Sequence, residues 1–353
     1  MNQTPPTTPA DQTSAKHRPL PSVPHRGVRI AGTGMAVPER VYTNADIATL
    51  CQTSDEWIHQ RTGIRQRRIC DPRKGESNLT LCTNALRNAL EASKIPAAQL
   101  DAVIIGTITS DMKCPSTACL VGAALGTGTA QAFDVAAACC GFVYSMNLAH
   151  DLIRVGTHRT IGVVGCDSVS CFTDFTDRNV AILFGDGAGA AVLHATDDAT
   201  KGVIAQINKA DGTGWDNLFV PGWDQQIPDN ADRQVVVPGC LHMNGKEVFK
   251  FAVGTFQNLI KETLDMGQIK VEDVDMFVCH QSNARIIQAA VDRFGIAATK
   301  VYVNIDRFGN TSAGSVPICL DELVKAGRIR EGMVIMFVAF GAGLTWSSSL
   351  WQV

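Results

Sequence analysis

No Cys-x-x-Cys pair occurs in this chain of 353 residues, although it holds twelve cysteines. The usual zinc-ribbon spacing is therefore missing, and no metal site is expected. No apolar run reaches the roughly 20 residues a membrane helix needs, because Gly, Asp or Arg interrupts the longest stretches. Net positive charge is missing too. Its 31 Lys and Arg against 34 Asp and Glu leave −3, which gives no bulk attraction to nucleic acid or to an anionic membrane. Aromatics are scarce at 6%, and the 31 glycines keep no period of three, which excludes a collagenous chain. No signal-peptide apolar core stands near Met1. Most cysteines lie in apolar segments such as Val278-Cys279 and Ile318-Cys319-Leu320. They read as small buried hydrophobes in a reducing, cytoplasmic setting. What is present is ordinary globular chemistry, 45% hydrophobic and 18% charged, with core material for about two domains.

Residues 1–27 carry several prolines, many Thr and Ser, and no apolar period. They read as a disordered tail. Order is expected from the short strand Val28-Arg29-Ile30-Ala31, ending at Gly32. From there helical and strand patterns alternate: Leu79 to Ala92 has helical spacing, and Leu100 to Gly106 reads as a buried strand. Such alternation argues for an α/β fold with both sheet faces covered. A weak repeat supports two halves, 28–200 and 201–353. Leu90 to Ile105 and Leu264 to Cys279 match at a constant offset of 174. A further strand and a special turn follow each copy. In the first half they are Ala132 to Val135, then Ala136 to Gly141. In the second they are Val301 to Ile305, then Gly309 to Ser312. A duplicated unit would bring Cys139 and Asn310 together near a symmetry axis. Chance likeness between two α/β segments is the competing reading.

Cys139 follows a strand and precedes a helical pattern in which Phe142, Met146, Ala149 and Ile153 recur. A cysteine at a helix N-terminus meets unpaired N–H groups and the positive end of the macrodipole, which favour the reactive thiolate. Cys140 points about 100° away on a helix and reads as packing. His280 directly follows the apolar strand Met276 to Cys279, at a strand end where α/β proteins place ligands. Asn310 sits in a Gly-rich turn ahead of a helix. Each alone also has a structural reading: a buried thiol, a hydrogen-bonded core histidine, a turn asparagine. Three such positions converging on one centre point to chemistry.

With these residues in place, the chain resembles the β-ketoacyl-acyl-carrier-protein synthase III family. These are the initiating condensing enzymes of type II fatty acid synthesis, within the thiolase superfamily. The matching segments begin with Thr53 to Ile58 and Arg61 to Ile64, then Phe133 to Cys139 and Phe184 to Ala190. They continue with His280-Gln281-Ser282-Asn283, Gly309 to Ser312 and Phe340 to Trp346, in family order over about residues 28 to 353. The resemblance implies the five-layered αβαβα thiolase fold made of two duplicated halves. It implies decarboxylative condensation of an acyl-CoA primer with malonyl-carrier protein, through an acyl-cysteine. Coenzyme A thioester enters as substrate, and no bound cofactor is implied.

By that resemblance Cys139 is the acylated nucleophile, and His280 and Asn310 stabilise the enolate left when CO₂ departs. Two fixed donors at a developing oxyanion lower such a barrier. The backbone N–H groups of Cys139 and Ala342 form a second oxyanion hole. The family usually has glycine where Ala342 stands, and its N–H serves provided φ is negative. Trp57, Arg61 and Arg178 belong to the coenzyme A site, with Trp57 and Arg178 on the two faces of the adenine. Lys250, Arg285 and Arg293 face the acidic carrier protein. The family is expected to be homodimeric, with the segment Lys113-Cys114-Pro115-Ser116 reaching into the partner subunit's acyl pocket. Many members carry Phe where Cys114 stands, so a longer or branched primer is admitted. A specialised secondary-metabolite ketosynthase or acyltransferase on the same scaffold is the alternative. Gly185-Asp186-Gly187-Ala188-Gly189 reads as a strand–turn–strand glycine cluster rather than a nucleotide loop, because no helical pattern follows it.

Overall fold

The computed structural model describes residues 26–353 apart from 223, 230 and 232–235. The expected tail, 1–27, lies almost wholly outside the described residues. The first half runs β1 (Gly27–Ala36), β2 (Val41–Thr43), α1 (Asn44–Ala48), α2 (Asp55–Thr62), β3 (Gln66–Arg68), α3 (Asn78–Ser93), β4 (Ala102–Gly106), α4 (Thr117–Leu125), β5 (Gln131–Val135), α5 (Gly141–Arg154), β6 (Thr160–Ser168), α6 (Arg178–Ala181) and β7 (Asp186–Thr196). The second runs β8 (Gly202–Ala210), β9 (Leu218–Phe219), β10 (His242–Met243), α7 (Gly245–Gly267), β11 (Met276–Cys279), α8 (Ala284–Phe294), α9 (Ile305–Phe308), α10 (Ser315–Lys325), β12 (Val334–Gly341) and β13 (Thr345–Gln352).

Each half builds one large sheet. The order is β1-β7-β6-β4-β5 in the first and β8-β13-β12-β11 in the second. The pairings agree as well. β4 and β6 are parallel, as are β11 and β12, while β6–β7 and β12–β13 are antiparallel. The offset of 174 carries the start of β4 onto the start of β11, and the end of α3 onto the end of α7. The repeat in the sequence is thus a repeat in the fold.

The layers follow from burial. Helix α3 starts at a Ser77 capping box and turns Leu81, Ala85, Leu86 and Ala89 onto the outer face of the first sheet. Helices α7 and α8 cover the outer face of the second with Phe256, Leu259, Ile260, Ile286 and Ile287. Between the sheets lie α5 and α10. Phe142, Val143 and Met146 of α5 share one apolar cluster with Val316, Leu320 and Leu323 of α10, Ile161 and Val163 of β6, and Ile335 and Phe337 of β12. Five layers result, with two helices in the middle that serve both sheets.

Three local expectations are corrected. Val301 to Ile305 is not a strand: Val301 makes an isolated bridge to Phe277, and α9 begins at Ile305. The side chain of Gln281 takes the place of a neighbouring strand. Its Nε2 donates to Tyr302 O at 3.1 Å, and its Oε1 accepts Asn304 N–H at 3.2 Å. The glycine cluster is not a turn between two strands either, because β7 runs straight through it. A Cβ on Gly189 would lie 2.6 Å from the backbone of Pro317 and Ile318, so these glycines let α10 approach. Finally, β1 continues past Gly32 to Ala36, with a register irregularity between Ile30 and Gly32.

Candidate active site

Cys139 stands where β5 hands over to α5. The chain makes a single 3₁₀ turn, Ala138–Cys140, before α5 begins. Ala138 holds φ at +46°, a left-handed backbone that costs a non-glycine residue energy. That kink turns the Cys139 side chain toward the second half. Opposite it, Gly341 closes β12, and a Cβ there would meet Cys139 N at 2.8 Å. Cys140 is fully buried in the central cluster, as its packing role requires.

His280 extends β11 by one residue, its N–H donating to Val338 O at 2.8 Å. Its ring lies edge-on to Phe340, with centroids 5.3 Å apart. Nδ1 is 2.6 Å from the hydroxyl of Ser315, the first residue of α10. That hydroxyl oxygen also accepts Gln281 N–H at 3.3 Å. With Ser315 donating to Nδ1, the ring carries its hydrogen on Nε2. Burial pushes the ring's pKa down to about 3, so the imidazole is a neutral donor at working pH.

Asn310 is held by a parallel bridge to Phe184: Asn310 N–H donates to Leu183 O at 2.9 Å, and Gly185 N–H donates to Asn310 O at 3.0 Å. Its Oδ1 accepts Ser312 N–H at 2.8 Å. With the oxygen occupied, Nδ2 is the end left for a ligand. Gly309, at φ +64°, makes the turn that sets this direction.

Cys139, His280 and Asn310 line one cavity of about 110 Å³ with Phe184, Leu218, Met243, Val248, Phe249, Ile286 and Leu344. The wall is apolar and three polar groups converge on it, the usual make-up of a small-molecule site. The thiolate expectation is corrected here. Burial raises the Cys139 thiol to about 12, although the Ser312 hydroxyl, 3.4 Å from the sulfur, works in the other direction. Loss of solvent is the largest influence on this sulfur and favours the thiol.

Around this centre, Ala342 follows Gly341 in the β12–β13 connection and keeps a negative φ. The side chains of Trp57, Arg61 and Arg178 meet at the surface. Arg178 lies over the indole at 4.8 Å and Arg61 at 5.6 Å. Asn283, on the cavity wall, ties this group to α8 by donating Nδ2–H to Arg61 O at 3.1 Å. Arg285 lies over Phe249, another wall residue, at 5.4 Å. Lys250 and Arg293 are exposed on the adjoining helices α7 and α8. Cys114 is not brought to the cavity of its own chain. It is exposed with Met112 in the connection between β4 and α4. Cys119 and Cys171 are exposed as well, so the buried-hydrophobe reading does not hold for them. Gln281, Ser312 and Ser315 support the site and are not among the candidate residues of the sequence. Their signal is proximity in sequence to His280 and Asn310. Asp167, buried in β6, has no such signal.

A five-layered duplicated α/β fold with a cysteine, a histidine and an asparagine on one apolar cavity defines a thiolase-fold condensing enzyme. Comparison with known proteins narrows this. Residues 133–212 match the model of 3-oxoacyl-[acyl-carrier-protein (ACP)] synthase III, and residues 264–353 match its C-terminal model. Beta-ketoacyl-[acyl-carrier-protein] synthase III of Caldanaerobacter subterraneus is 43% identical over 91% of this chain and 96% of its own. The enzyme of that name from Roseiflexus sp. is 44% identical over 91% and 97%. The crystal structure of 3-oxoacyl-[acyl-carrier-protein] synthase III from Aquifex aeolicus superposes with a TM-score of 0.85 at 38% identity, covering 93% of this chain and all of that one. A priming β-ketosynthase from a polyketide biosynthetic pathway superposes at 0.86 and 35% identity, covering 95% and 99%. The chain belongs to the β-ketoacyl-acyl-carrier-protein synthase III family and is an acyl-transferring condensing enzyme.

Proposed function

We propose that Cys139 takes an acyl group from coenzyme A and passes it to the carbanion formed from malonyl-carrier protein. The convergence of Cys139, His280 and Asn310 on one apolar cavity carries this reading. In the first step the sulfur attacks the thioester, and the N–H groups of Cys139 and Ala342 receive the oxyanion. In the second, malonyl thioester loses CO₂, and its enolate oxygen accepts from His280 Nε2–H and Asn310 Nδ2–H. A neutral imidazole suits this task, since it gives a hydrogen bond without surrendering its proton. The apolar wall favours loss of CO₂ by keeping the carboxylate poorly solvated.

The adenine of coenzyme A would enter between Trp57 and Arg178, with Arg61 beside them; indole and guanidinium both suit a π-face. Lys250, Arg285 and Arg293 would meet the acidic carrier protein. We read the enzyme as a cytoplasmic homodimer whose halves are 28–200 and 201–353, with Cys114 lining the partner's acyl pocket. No described helix is long and apolar enough to cross a membrane. The test is intact-mass measurement after incubation with acyl-CoA, then malonyl-carrier protein. Acylation confined to Cys139 and discharged as β-ketoacyl product supports the reading; acylation elsewhere removes it. A polyketide-priming role is the second reading, favoured by the likeness to the priming β-ketosynthase and by the small Cys114. A panel of primers from acetyl- to octanoyl-CoA decides between them.

A further inference from the structure

Arg67, the middle residue of β3, is fully buried. Nη1 donates to Asn44 Oδ1 at 2.9 Å and to Tyr42 O at 3.4 Å, and Nη2 donates to Ile182 O at 2.7 Å. These acceptors are all neutral, and Nε has no partner among the described residues. Burial lowers the guanidinium's pKa to about 10, which leaves it charged at neutral pH. A buried cation with neutral acceptors costs stability that an apolar side chain of similar length would not. Its contribution therefore lies in what its planar fork holds in place. Two acceptors belong to the corner between β2 and α1. The third opens the segment 182–185, to which Asn310 is bridged. Just past Ile182, Leu183 O accepts Asn310 N–H, and Gly185 N–H donates to Asn310 O. The stem of Arg67 lies against the same bridge. A Cβ on Gly185 would lie 2.9 Å from Arg67 Cβ, and one on Gly309 would lie 3.3 Å from it. Side chain and bridge thus meet with no layer between them, beside the cavity residues Phe184 and Asn310.

We propose that Arg67 is a positioning residue for malonyl decarboxylation, fixing the Phe184–Asn310 bridge so that Asn310 Nδ2–H meets the enolate oxygen. This rests on the reading of Asn310 as an enolate donor. The asparagine has two anchors. Within its own turn, Oδ1 accepts Ser312 N–H, which sets the rotation of the amide. From outside, Arg67 sets the position of the backbone. Its fork pins Ile182 O, and its stem fills the space that Gly185 and Gly309 leave open. Without that side chain the bridge is free to move into the emptied volume. A misplacement of about 1 Å at such a donor costs about 10²-fold in rate. Cys139 stands outside this chain of contacts. The 3₁₀ turn into α5 and the close approach of Gly341 hold it instead. Lysine at this position would keep a positive charge but present it without the planar fork.

The test is a double-variant cycle on the full chain, with CO₂ release from malonyl-carrier protein and acyl mass gain on Cys139 measured separately. In Arg67→Met, kcat for CO₂ release should fall about 10²-fold, while KM for malonyl-carrier protein stays within about twofold. Acylation of Cys139 should stay within about threefold at saturating acyl-CoA. Saturation is needed because Ile182 caps α6, which carries Arg178. Since Arg67 acts through Asn310, Arg67→Met combined with Asn310→Ala should be no slower than Asn310→Ala alone. Should Arg67→Met fold poorly, Arg67→Lys carries the same cycle, with an expected loss of about tenfold. Losses that multiply in the double variant overturn the proposal, and so does a native rate of CO₂ release in a folded Arg67 variant. Equal losses of acylation and decarboxylation also overturn it, in favour of a purely structural Arg67. If Asn310→Ala alone leaves CO₂ release unchanged, the reading of Asn310 falls and the proposal with it. If Asn310→Ala is slow and the Arg67 variants are not, only the positioning role falls.

Discussion

Two turns of the molecule share one backbone and divide the chemistry. Ala138–Cys140 leads into α5 and Ser312–Gly314 leads into α10, and the offset of 174 superposes them residue for residue. Both open on a non-glycine residue in the left-handed region, Ala138 at +46° and Ser312 at +49°. Both are followed at once by a middle-layer helix. At the second position one carries Cys139 and the other Ala313. The two halves thus share a kinked helix entrance, and the side chains on it set what each turn presents. The first turn presents Cys139 to the cavity. The second places Asn310, just upstream, on the same cavity and the Ser312 hydroxyl on the first turn's sulfur.

The comparison breaks most sharply at the sulfur. Cys139→Ser should leave no mass gain with acyl-CoA and no condensation, because a hydroxyl is a far weaker nucleophile at neutral pH. Cys140→Ala, one residue along, should keep most activity. Asn310→Ala breaks the second turn alone. It should slow malonyl decarboxylation by about 10²–10³-fold, the cost of losing one oxyanion donor, while acyl transfer to Cys139 persists. Measuring CO₂ release separately from mass gain distinguishes the two steps. If the variant blocked acylation and spared decarboxylation, the division between the turns would be reversed.

Smaller effects sharpen the comparison. Cys114→Phe should lower kcat/KM for octanoyl-CoA by about tenfold and leave acetyl-CoA nearly unchanged. A uniform drop across chain lengths, together with a lower Tm, would assign Cys114 to stability instead. The pH dependence of decarboxylation should show no histidine titration between about pH 5 and 8. His280 stays neutral in the folded state, with its pKa near 3, whereas an unfolded histidine takes up a proton near 6.5. The unfolded chain therefore binds the extra proton, and stability is lost as pH falls from about 6.5 toward 3. An inflection in the decarboxylation rate near pH 6.5 would show that the ring is not buried neutral. Least of all, Ala138→Gly should relieve left-handed strain and raise Tm by a degree or two, about 1 kcal/mol for a chain of this size.

Much of this was legible in the sequence, for reasons that differ by residue. The strand Met276 to Cys279 and the helix Gly141–Arg154 follow from periodicity, and the offset of 174 ties the halves together. Cys139, His280 and Asn310 stand at element ends, where polarity interrupts an apolar pattern. The Val301 to Ile305 segment misled because its alternation is that of a strand, while Gln281, twenty residues upstream, supplies its hydrogen bonds. The glycines of β7 misled because a close approach by α10 and a tight turn call for the same residue. Asp167 was invisible, since a lone acid at a strand end has no partner until Thr107, Thr109 and the second turn are brought to it. The state of the Cys139 thiol differs from the sequence expectation because local dipoles can be read from order in the chain, whereas burial cannot.

The middle layer also governs how the molecule comes apart. Helices α5 and α10 share one apolar cluster with both sheets, so neither half can release its helix without uncovering the other's. Melting should be a single cooperative event, with calorimetric and van't Hoff enthalpies in agreement within each chain. The same geometry bears on truncation. A lone half would leave the inner face of its sheet and one flank of its helix in water, an apolar patch too large for a stable monomer. Either half expressed alone should therefore aggregate or pair with a second copy of itself.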